Sequence, residues 1–232
     1  MLVPKPVLTY RVKNNLYINL TNRCNASCWF CDRKGEALYF GKSLKMKKVQ
    51  EPPVSEFIKK IGNLLRYDEI VFCGFGEPTI RVKEMIEIAR YVKSRGGQTR
   101  LNTNGHGNYI NKRNIVPEIS GCIDRVSISL NSEDKAEYVK IMHVKPELYD
   151  SMLEFAKQCL KHHIELEISV VTLSTTNTKR LKEFVNKKLK GATLKFRNLI
   201  DFGDPKLREK IIRTEKIVPV ESSPKTKYIT KN

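Results

Sequence analysis

The sequence predicts an α/β fold, a partial (β/α)6 TIM-like barrel of parallel strands with helices on its outside. Two observations predict it. Strand-like and helix-like segments alternate about six times along the 232-residue chain, and each intervening helix returns the chain for a parallel pairing. In addition, the strands are polar on one parity, as at Tyr17, Asn19 and Thr21. A sheet covered by helices on both faces would be apolar on both, so we expect an open barrel with a polar interior.

Alternation of apolar and polar residues predicts the strands, and apolar residues at helical spacing predict the helices. The predicted strands are Asn15–Thr21, Glu69–Gly74, Thr99–Asn104, Ile123–Leu130, Ile164–Thr172 and Ala192–Asn198. The predicted helices are Pro53–Arg66, Arg81–Arg95, Pro146–His162 and Thr178–Lys190. The polar parity recurs at Ser127, Ser129 and Asn131 and at Glu165, Glu167 and Ser169. The alternative is that some of these strands lie at a sheet edge.

The remaining residues are predicted to form an appendage. We expect a core domain over residues 1–200 and a basic C-terminal tail over 201–232, because the regular pattern fades after Asn198. The tail has two short apolar runs and ends in polar residues. It is expected to be partly disordered, with one short helix from Pro205 to Lys216.

The composition limits the compartment and the partners. No run of about 18 apolar residues occurs, so no membrane span is expected. Six cysteines without a secretory pattern at the start predict a reducing, cytoplasmic setting. The net charge is +18, and Lys and Arg concentrate in the stretches Arg33–Lys48 and Lys179–Arg197. Such patches attract RNA or another polyanion, and a solvated lysine-rich surface is the alternative.

Three cysteines follow the first predicted strand directly. Cys24, Cys28 and Cys31 have the spacing C-x-x-x-C-x-x-C on one short loop. Three thiolates can hold three irons of a 4Fe–4S cluster and leave the fourth iron open to a ligand. A structural zinc site normally has four ligands, and no nearby pair offers the fourth. The spacing therefore favours an open iron–sulfur site over zinc or incidental cysteines.

Two further motifs lie where the next strands end. Phe72-Cys-Gly-Phe-Gly-Glu-Pro-Thr79 follows the second strand, and its glycines permit close backbone approach. The third strand ends in Leu101-Asn-Thr-Asn-Gly105, which places Asn102 and Asn104 at the mouth of the barrel, where active sites of such folds gather. His106 and Cys73 are weaker candidates for chemistry, because a loop histidine and a buried cysteine are common without one.

Together these residues resemble the radical S-adenosylmethionine (radical SAM) superfamily over roughly Tyr10 to Asn198. The resemblance rests on the cysteine loop, the Gly-Phe-Gly-Glu-Pro turn and the Asn-Thr-Asn-Gly turn. More narrowly, Tyr10–Cys24, Val71–Arg81 and Leu101–Gly105 are similar to the radical SAM proteins associated with TatD-type nucleases. One departure is Phe75, which interrupts the usual pair of glycines and leaves the exact ligand contact open.

The resemblance implies the cofactors and their contacts. A 4Fe–4S cluster on Cys24, Cys28 and Cys31 would reductively cleave S-adenosylmethionine to a 5′-deoxyadenosyl radical that abstracts hydrogen from a substrate. A flavodoxin- or ferredoxin-type electron donor and a link to a TatD-type nuclease are implied as partners. The residues expected to contact S-adenosylmethionine are Phe30, Gly74, Gly76, Glu77, Asn102, Asn104, Ser129, Asn131 and Glu167.

Three functions remain open from the sequence. The charge and the nuclease association favour a radical SAM enzyme that acts on a nucleotide or a nucleic acid such as tRNA. The same cysteine spacing fits an activating enzyme that installs a glycyl radical on a protein partner. The third alternative is a non-enzymatic iron–sulfur or RNA-binding module.

Overall fold

A seven-stranded sheet, parallel except at one edge, organises the chain. The computed structural model describes residues 7–31, 38–39, 42–46, 51–200, 205–215 and 227–228. The sheet has the order β1-β2-β5-β6-β7-β8-β9, in which β1 runs antiparallel to β2 and the other six strands are parallel. Two short antiparallel pairs, β3 with β4 and β10 with β11, lie outside it. The strands are β1 Thr9–Val12, β2 Asn15–Ile18, β3 Leu38–Tyr39, β4 Lys42–Ser43, β5 Ile70–Phe72, β6 Thr99–Thr103, β7 Arg125–Ser129, β8 Glu165–Val171, β9 Thr193–Arg197, β10 Leu199–Ile200 and β11 Lys227–Tyr228.

The α-helices connect the parallel strands. They are α1 Val54–Ile61, α2 Val82–Lys93, α3 Gly107–Asn111, α4 Val116–Ile119, α5 Lys135–Met142, α6 Glu147–Lys161, α7 Thr178–Lys188 and α8 Pro205–Glu215. Two 3-10 turns, Leu64–Arg66 and Pro78–Arg81, precede β5 and α2. None of the helices in the described part of the chain combines the length and apolarity that a membrane crossing requires.

One face of the sheet packs against the helices. Residues of one parity, such as Ile18, Phe72, Leu101 and Ile128, are fully buried in the core with apolar residues of α1, α2 and α6. The opposite parity is polar, and the parallel register aligns it from strand to strand, as in the row Asn102, Ser127, Glu167 and Thr193. The polar interior predicted from the sequence is therefore confirmed from β6 to β9, while β5 contributes the apolar Val71 to this face.

The polar face is concave and encloses a space that we call the lumen. Tyr17 of β2 and Cys73, which follows β5, lie close enough to Arg197 on β9 for their ionised forms to affect its pKa. In a flat sheet β2 and β9 would be about 24 Å apart, given the ~4.8 Å spacing of strands. The sheet must curve for these side chains to interact, yet β1 and β9 remain its edges. The predicted α/β class with an open, TIM-like partial barrel is confirmed.

Four local features differ from the prediction. The edge strand β1, which makes a hairpin with β2 through a turn at Lys13 with φ +53°, was not predicted because only four residues alternate. The helix predicted over Pro53–Arg66 ends at Ile61, since Gly62 takes φ +61°. Helices α3 and α4 have five and four residues, too few for a periodic pattern, and the eight-residue α5 is only weakly amphipathic.

Most of the basic stretch Arg33–Lys48 and the end of the tail lie outside the described residues. The division into a core and a tail at residue 200 stays a prediction. Helix α8 lies within the region assigned to the tail, and its Leu207 and Ile211 are buried in the same core cluster as the barrel strands.

Candidate functional site

The cysteine loop lies at the carboxyl end of β2, at the mouth of the lumen. Cys24, Cys28 and Cys31 are all partly buried and free of disulfides. The loop is held by backbone hydrogen bonds to the end of α5, where Ser27 N donates to Met142 O at 3.0 Å and Trp29 N donates to Ile141 O at 3.1 Å. Main-chain bonds of this kind fix the course of the loop through its backbone.

The surroundings of the thiols are sulfur and amide groups. Cys28 Sγ lies 3.4 Å from Met142 Sδ, and Cys24 Sγ accepts a hydrogen bond from Ala26 N at 3.4 Å. Within the described ranges, no three His, Cys, Asp or Glu side chains are gathered closely enough to hold one metal ion.

The loop after β5 packs against the backbone of the cysteine loop. A Cβ on Gly76 would lie 2.3 Å from Arg23 O and 2.6 Å from Thr21 O, and Glu77 N donates to Arg23 O at 2.8 Å. A Cβ on Gly74 would likewise lie 2.3 Å from Asn19 Oδ1. Both glycines are thus required for the close approach of two loops, a role that the sequence pattern alone did not separate from ligand contact.

The Glu77 carboxylate joins three segments below the cysteine loop. It is 2 % exposed and accepts hydrogen bonds from Thr79 N at 3.1 Å, Thr79 Oγ1 at 2.7 Å, Thr103 Oγ1 at 2.7 Å and Asn104 N at 2.8 Å. Burial raises the pKa of Glu77, and these donors oppose that rise. Three of the four bonds fall on Oε1, so Oε2 keeps the greater free accepting capacity.

Asn104 connects the end of β6 to the cysteine loop. Its Nδ2 donates to Asn25 Oδ1 at 2.8 Å and lies 3.9 Å from Cys24 Sγ, while its Oδ1 accepts from His106 N at 2.9 Å. Since every polar atom of this side chain has a protein partner, Asn104 holds the position of the loop between Cys24 and Cys28.

A buried chain of hydrogen bonds continues from Asn25 through His106 to Tyr138 of α5. Asn25 Nδ2 lies 3.0 Å from His106 Nδ1, and His106 Nε2 lies 2.8 Å from Tyr138 Oη. Because Asn25 Oδ1 already accepts from Asn104, its amide group is the donor to His106 Nδ1. The ring proton is then on Nε2, and the neutral imidazole donates to Tyr138.

Burial explains the protonation states of His106 and Tyr138 in this series of hydrogen bonds. It lowers the pKa of His106 to about 4 and raises the pKa of Tyr138 well above its ordinary value. His106 is fully buried, so it does not face the lumen as a proton donor or acceptor. The geometry gives it a structural part in holding the cysteine loop, in keeping with the weak sequence signal for chemistry.

The other predicted contact residues lie around the lumen in different environments. Phe30 is partly buried and packs edge-to-face on Trp29, with ring centroids 5.6 Å apart. Asn131 takes φ +59°, its Oδ1 accepts from Val171 N at 3.0 Å, and its Nδ2 lies 3.2 Å from Met142 Sδ. Asn131 therefore ties the ends of β7 and β8 to α5 through both ends of its amide.

Ser129, Asn102 and Glu167 lie on the polar face itself. Ser129 is partly exposed and stands beside Ser169 in the parallel ladder. Glu167 Oε1 accepts from Ser127 Oγ at 2.8 Å. Asn102 Oδ1 is buried without a hydrogen-bond partner among the described residues. These three side chains keep polar atoms toward the lumen, unlike Glu77, Asn104 and Asn131.

The structure adds residues that the sequence did not single out. Asn25, Tyr138 and Met142 contact the site from the cysteine loop and from α5, a helix that the periodicity missed. Lys210 of α8 donates from Nζ to Trp29 O at 2.6 Å and lies over the Trp29 ring at 5.8 Å. A position in a helix far along the chain carries no sequence signal for such a contact.

Comparison with known proteins shows which family this chain resembles. Residues 18–187 match the model of the radical SAM superfamily. A probable GTP 3′,8-cyclase of Pyrococcus horikoshii is 29 % identical over 167 residues, which cover 72 % of this chain and 49 % of that protein. A 7-carboxy-7-deazaguanine synthase of Methanocaldococcus jannaschii is 26 % identical over 167 residues, 68 % of this chain and 64 % of that protein.

Solved structures show the same fold. The Streptococcus suis SuiB structure bound to S-adenosylmethionine matches with a TM-score of 0.58 and 18 % identity, over 76 % of this chain and 38 % of that one. The chain spans about half the length of the first curated relatives it matches. From the family match over most of the chain, we conclude that it belongs to the radical SAM superfamily, enzymes that use a 4Fe–4S cluster and S-adenosylmethionine.

Proposed function

We propose that Cys24, Cys28 and Cys31 hold the cluster of this radical SAM enzyme and that its substrate is a nucleotide or a nucleic acid. The observation that carries the first part is the placement of three partly exposed cysteines on one backbone-anchored loop at the mouth of the lumen. Three thiolates suit three irons of a 4Fe–4S cluster and leave one iron for S-adenosylmethionine.

The residues around the loop fit these groups. When bound and reduced, the cluster and S-adenosylmethionine supply a 5′-deoxyadenosyl radical that removes a hydrogen atom from the substrate. We assign side-chain contact with S-adenosylmethionine to Phe30, Asn102, Ser129 and Glu167. The buried, unpartnered Asn102 Oδ1 supports this assignment, because a buried acceptor without a donor is costly unless a ligand supplies one.

The five other residues predicted to contact S-adenosylmethionine are assigned supporting roles in the same site. Gly74 and Gly76 would offer backbone groups, and their lack of a Cβ already brings that backbone against the cysteine loop. Glu77, Asn104 and Asn131 have side chains engaged by protein donors and acceptors, so their part is to hold these loops in place. A pre-positioned site avoids the entropy cost of ordering these groups during the reaction.

A nucleotide substrate is supported by the relatives and by charge. The curated relatives reported above are named for GTP and for a deazaguanine, both purine-type compounds. The net charge of +18 and the exposed Lys and Arg side chains on and after α7 provide an electrostatic attraction for phosphates. The alternatives, a glycyl-radical activating enzyme and a non-enzymatic module, have no better support.

Within the superfamily, we propose the group associated with TatD-type nucleases as the place of this chain, on the motifs at Tyr10–Cys24, Val71–Arg81 and Leu101–Gly105. Radical SAM enzymes need a reductant, and a flavodoxin- or ferredoxin-type protein in the cytoplasm would fill that role. A functional link to a TatD-type nuclease would suit a nucleic-acid substrate.

The test of the cluster assignment is 5′-deoxyadenosine formation after anaerobic reconstitution with iron and sulfide. Wild type is expected to form product when reduced with S-adenosylmethionine present. Cys28→Ala should lose both the cluster absorbance and the product, because one iron loses its thiolate. Cys122→Ala is the matched control, since Cys122 is buried far along the chain between α4 and β7. Equal product from wild type and Cys28→Ala would overturn the assignment.

The substrate class is tested in the same assay. If the substrate is a nucleotide or a nucleic acid, nucleotides or tRNA should stimulate 5′-deoxyadenosine formation. If the chain is an activating enzyme, a glycine-containing protein partner should stimulate it instead. Affinity for tRNA that does not fall as salt rises would count against a nucleic-acid substrate. A protein with a full cluster that binds no S-adenosylmethionine would favour the non-enzymatic module.

A further inference from the structure

The floor of the lumen is closed by paired charges. Arg100 lies 3.2 Å from Glu69, and its guanidinium donates to Tyr17 Oη at 3.3 Å. Arg125, one strand further, also lies 3.2 Å from Glu69. These pairs sit at the amino ends of the strands, away from the mouth. Arg125 also lies 2.9 Å from Glu165, so two arginines face two carboxylates and these four groups carry no net charge, although the Nε atoms of both arginines lack hydrogen-bond partners among the described residues.

One row closer to the mouth, the charges still balance. Glu167 accepts from Ser127 Oγ at 2.8 Å and lies 3.5 Å from Lys195 Nζ. Lys195 is about half exposed in its side chain (53 %), so its ammonium group has room to reach a ligand as well as Glu167. The Glu167–Lys195 pair is therefore a loose one in a solvated part of the lumen.

Arg197 is a basic side chain of the lumen that takes no part in the charge pairs described above. It stands opposite Val171 at the carboxyl end of β9, and among the described residues no ion pair to its guanidinium is found. Tyr17, Cys73 and Glu167 lie near it, and of these three groups Glu167 is the one that is charged at neutral pH, since burial raises the pKa of Tyr17 and of Cys73. The side chain is solvent-accessible, and the protein groups around it lower its pKa from the ordinary value.

A buried hydroxyl without a partner lies in the same corner. Ser169 is 3 % exposed, and its Oγ has no hydrogen-bond partner among the described residues. The ladder places Ser169 directly beside Lys195. Buried hydroxyls in proteins are nearly always hydrogen-bonded, so this one marks a place where a ligand atom is expected.

This corner is separate from the cysteine loop. Ser169, Lys195 and Arg197 belong to β8 and β9, at the edge of the sheet opposite β1 and β2. The cysteine loop follows β2 and packs on the end of α5. Glu167, assigned above to S-adenosylmethionine, borders this corner through its pair with Lys195, so the corner adjoins the cofactor and leaves Arg197, Lys195 and Ser169 for the substrate.

We infer that Arg197, Lys195 and the Ser169 hydroxyl form an oxyanion subsite that binds a phosphate group of the substrate. The inference rests on the proposed function, since it names the part of a nucleotide that this site would hold. An arginine guanidinium and a lysine ammonium give charge-assisted hydrogen bonds to phosphate oxygens, and the serine hydroxyl adds a neutral donor. Glu167, the nearby acid, stays offset by Ser127 and Lys195.

Direct binding measurements test the subsite without relying on catalysis. The reconstituted protein is titrated anaerobically with GMP, guanosine, inorganic phosphate and malonate by calorimetry. GMP and phosphate should bind wild type, and Arg197→Gln should weaken both by about tenfold or more, because the charge-assisted bonds are lost. Arg197→Lys should recover part of the affinity. Arg66→Gln is the matched control, since Arg66 is an exposed arginine in the turn before β5.

The titrations distinguish a bound phosphate from a bound carboxylate and test whether the subsite exists. Equal guanosine affinity in wild type and Arg197→Gln, with weakened GMP binding, supports a phosphate contact. Malonate binding that depends on Arg197 while phosphate binding does not would replace the phosphate by a carboxylate and overturn the nucleotide assignment. Equal GMP and phosphate affinities in Arg197→Gln and Arg66→Gln would overturn the subsite. Failure of the proposed function is distinct, because it shows as absent 5′-deoxyadenosine in wild type whatever these titrations give.

Discussion

The residues that hold the cysteine loop and those on the β8–β9 side of the lumen differ in how completely their buried polar groups are paired. On the cysteine side, Glu77 accepts four protein hydrogen bonds, and Asn104 and His106 have partners at every polar atom. On the β8–β9 side, Ser169 Oγ has no partner among the described residues, and Arg197 has no ion pair there. Paired groups make a rigid frame, whereas unpaired ones await a ligand.

This difference matches two tasks. A group that stays in the protein through every cycle is best held by loops whose geometry is fixed beforehand. A substrate that must enter and leave needs donors and charges that are free to receive it. The comparison thus separates a cofactor frame at the cysteine loop from a substrate side at β8 and β9, and the predictions that follow test each side.

The largest expected effect is the loss of the Glu77 carboxylate. Glu77→Ala should lower the free energy of unfolding by at least about 3 kcal/mol, because several buried donors lose their acceptor. Glu87→Ala on the exposed face of α2 is the control and should change it by less than about 0.5 kcal/mol. Chemical denaturation measures both. Similar values for the two variants would show that the frame does not depend on Glu77.

The pH dependence of stability should reveal His106. Its pKa is lowered to about 4 in the folded chain, against about 6.5 when unfolded, so the unfolded state binds the extra proton between these values. The stability that the neutral His106 ring contributes is fully present above pH 6.5. It is lost as the pH falls toward 4, by about 1.4 kcal/mol per pH unit. Denaturation of wild type and His106→Gln from pH 4 to pH 7.5 should show this extra slope only in wild type. Parallel curves would mean that His106 is not buried as a neutral ring.

The smallest expected effect is on the substrate side. Ser169→Ala should leave the free energy of unfolding within about 0.5 kcal/mol of wild type, because the Oγ atom makes no hydrogen bond in the described structure. Thr103→Val is the matched contrast. Its hydroxyl donates to Glu77 and accepts from Gly105 N, so its loss should cost roughly 1–3 kcal/mol. If Ser169→Ala were as destabilising as Thr103→Val, the two sides of the lumen would not differ as described.

The repeating elements and the cysteine loop could be predicted from local sequence. All six parallel strands were predicted: most of them alternate apolar and polar residues beside a helical pattern, and β5 is a short apolar run. Short elements such as β1 and α4 escaped, since four residues make no period. Helix α5, which supplies Tyr138 and Met142 to the site, escaped because its eight residues are only weakly amphipathic.

The sequence by itself determined the α/β class, the polar inner face and the motif that places the chain among radical SAM enzymes, because periodicity and cysteine spacing are local properties. Tertiary structure alone decided which polar groups are paired. Glu77 and Asn104 sit beside glycine-rich turns much as Asn102 does, yet only the folded arrangement shows their side chains occupied. The approach of α5, α8 and β9 to the lumen depends on how the sheet curves, and curvature is set by the packing of the whole chain.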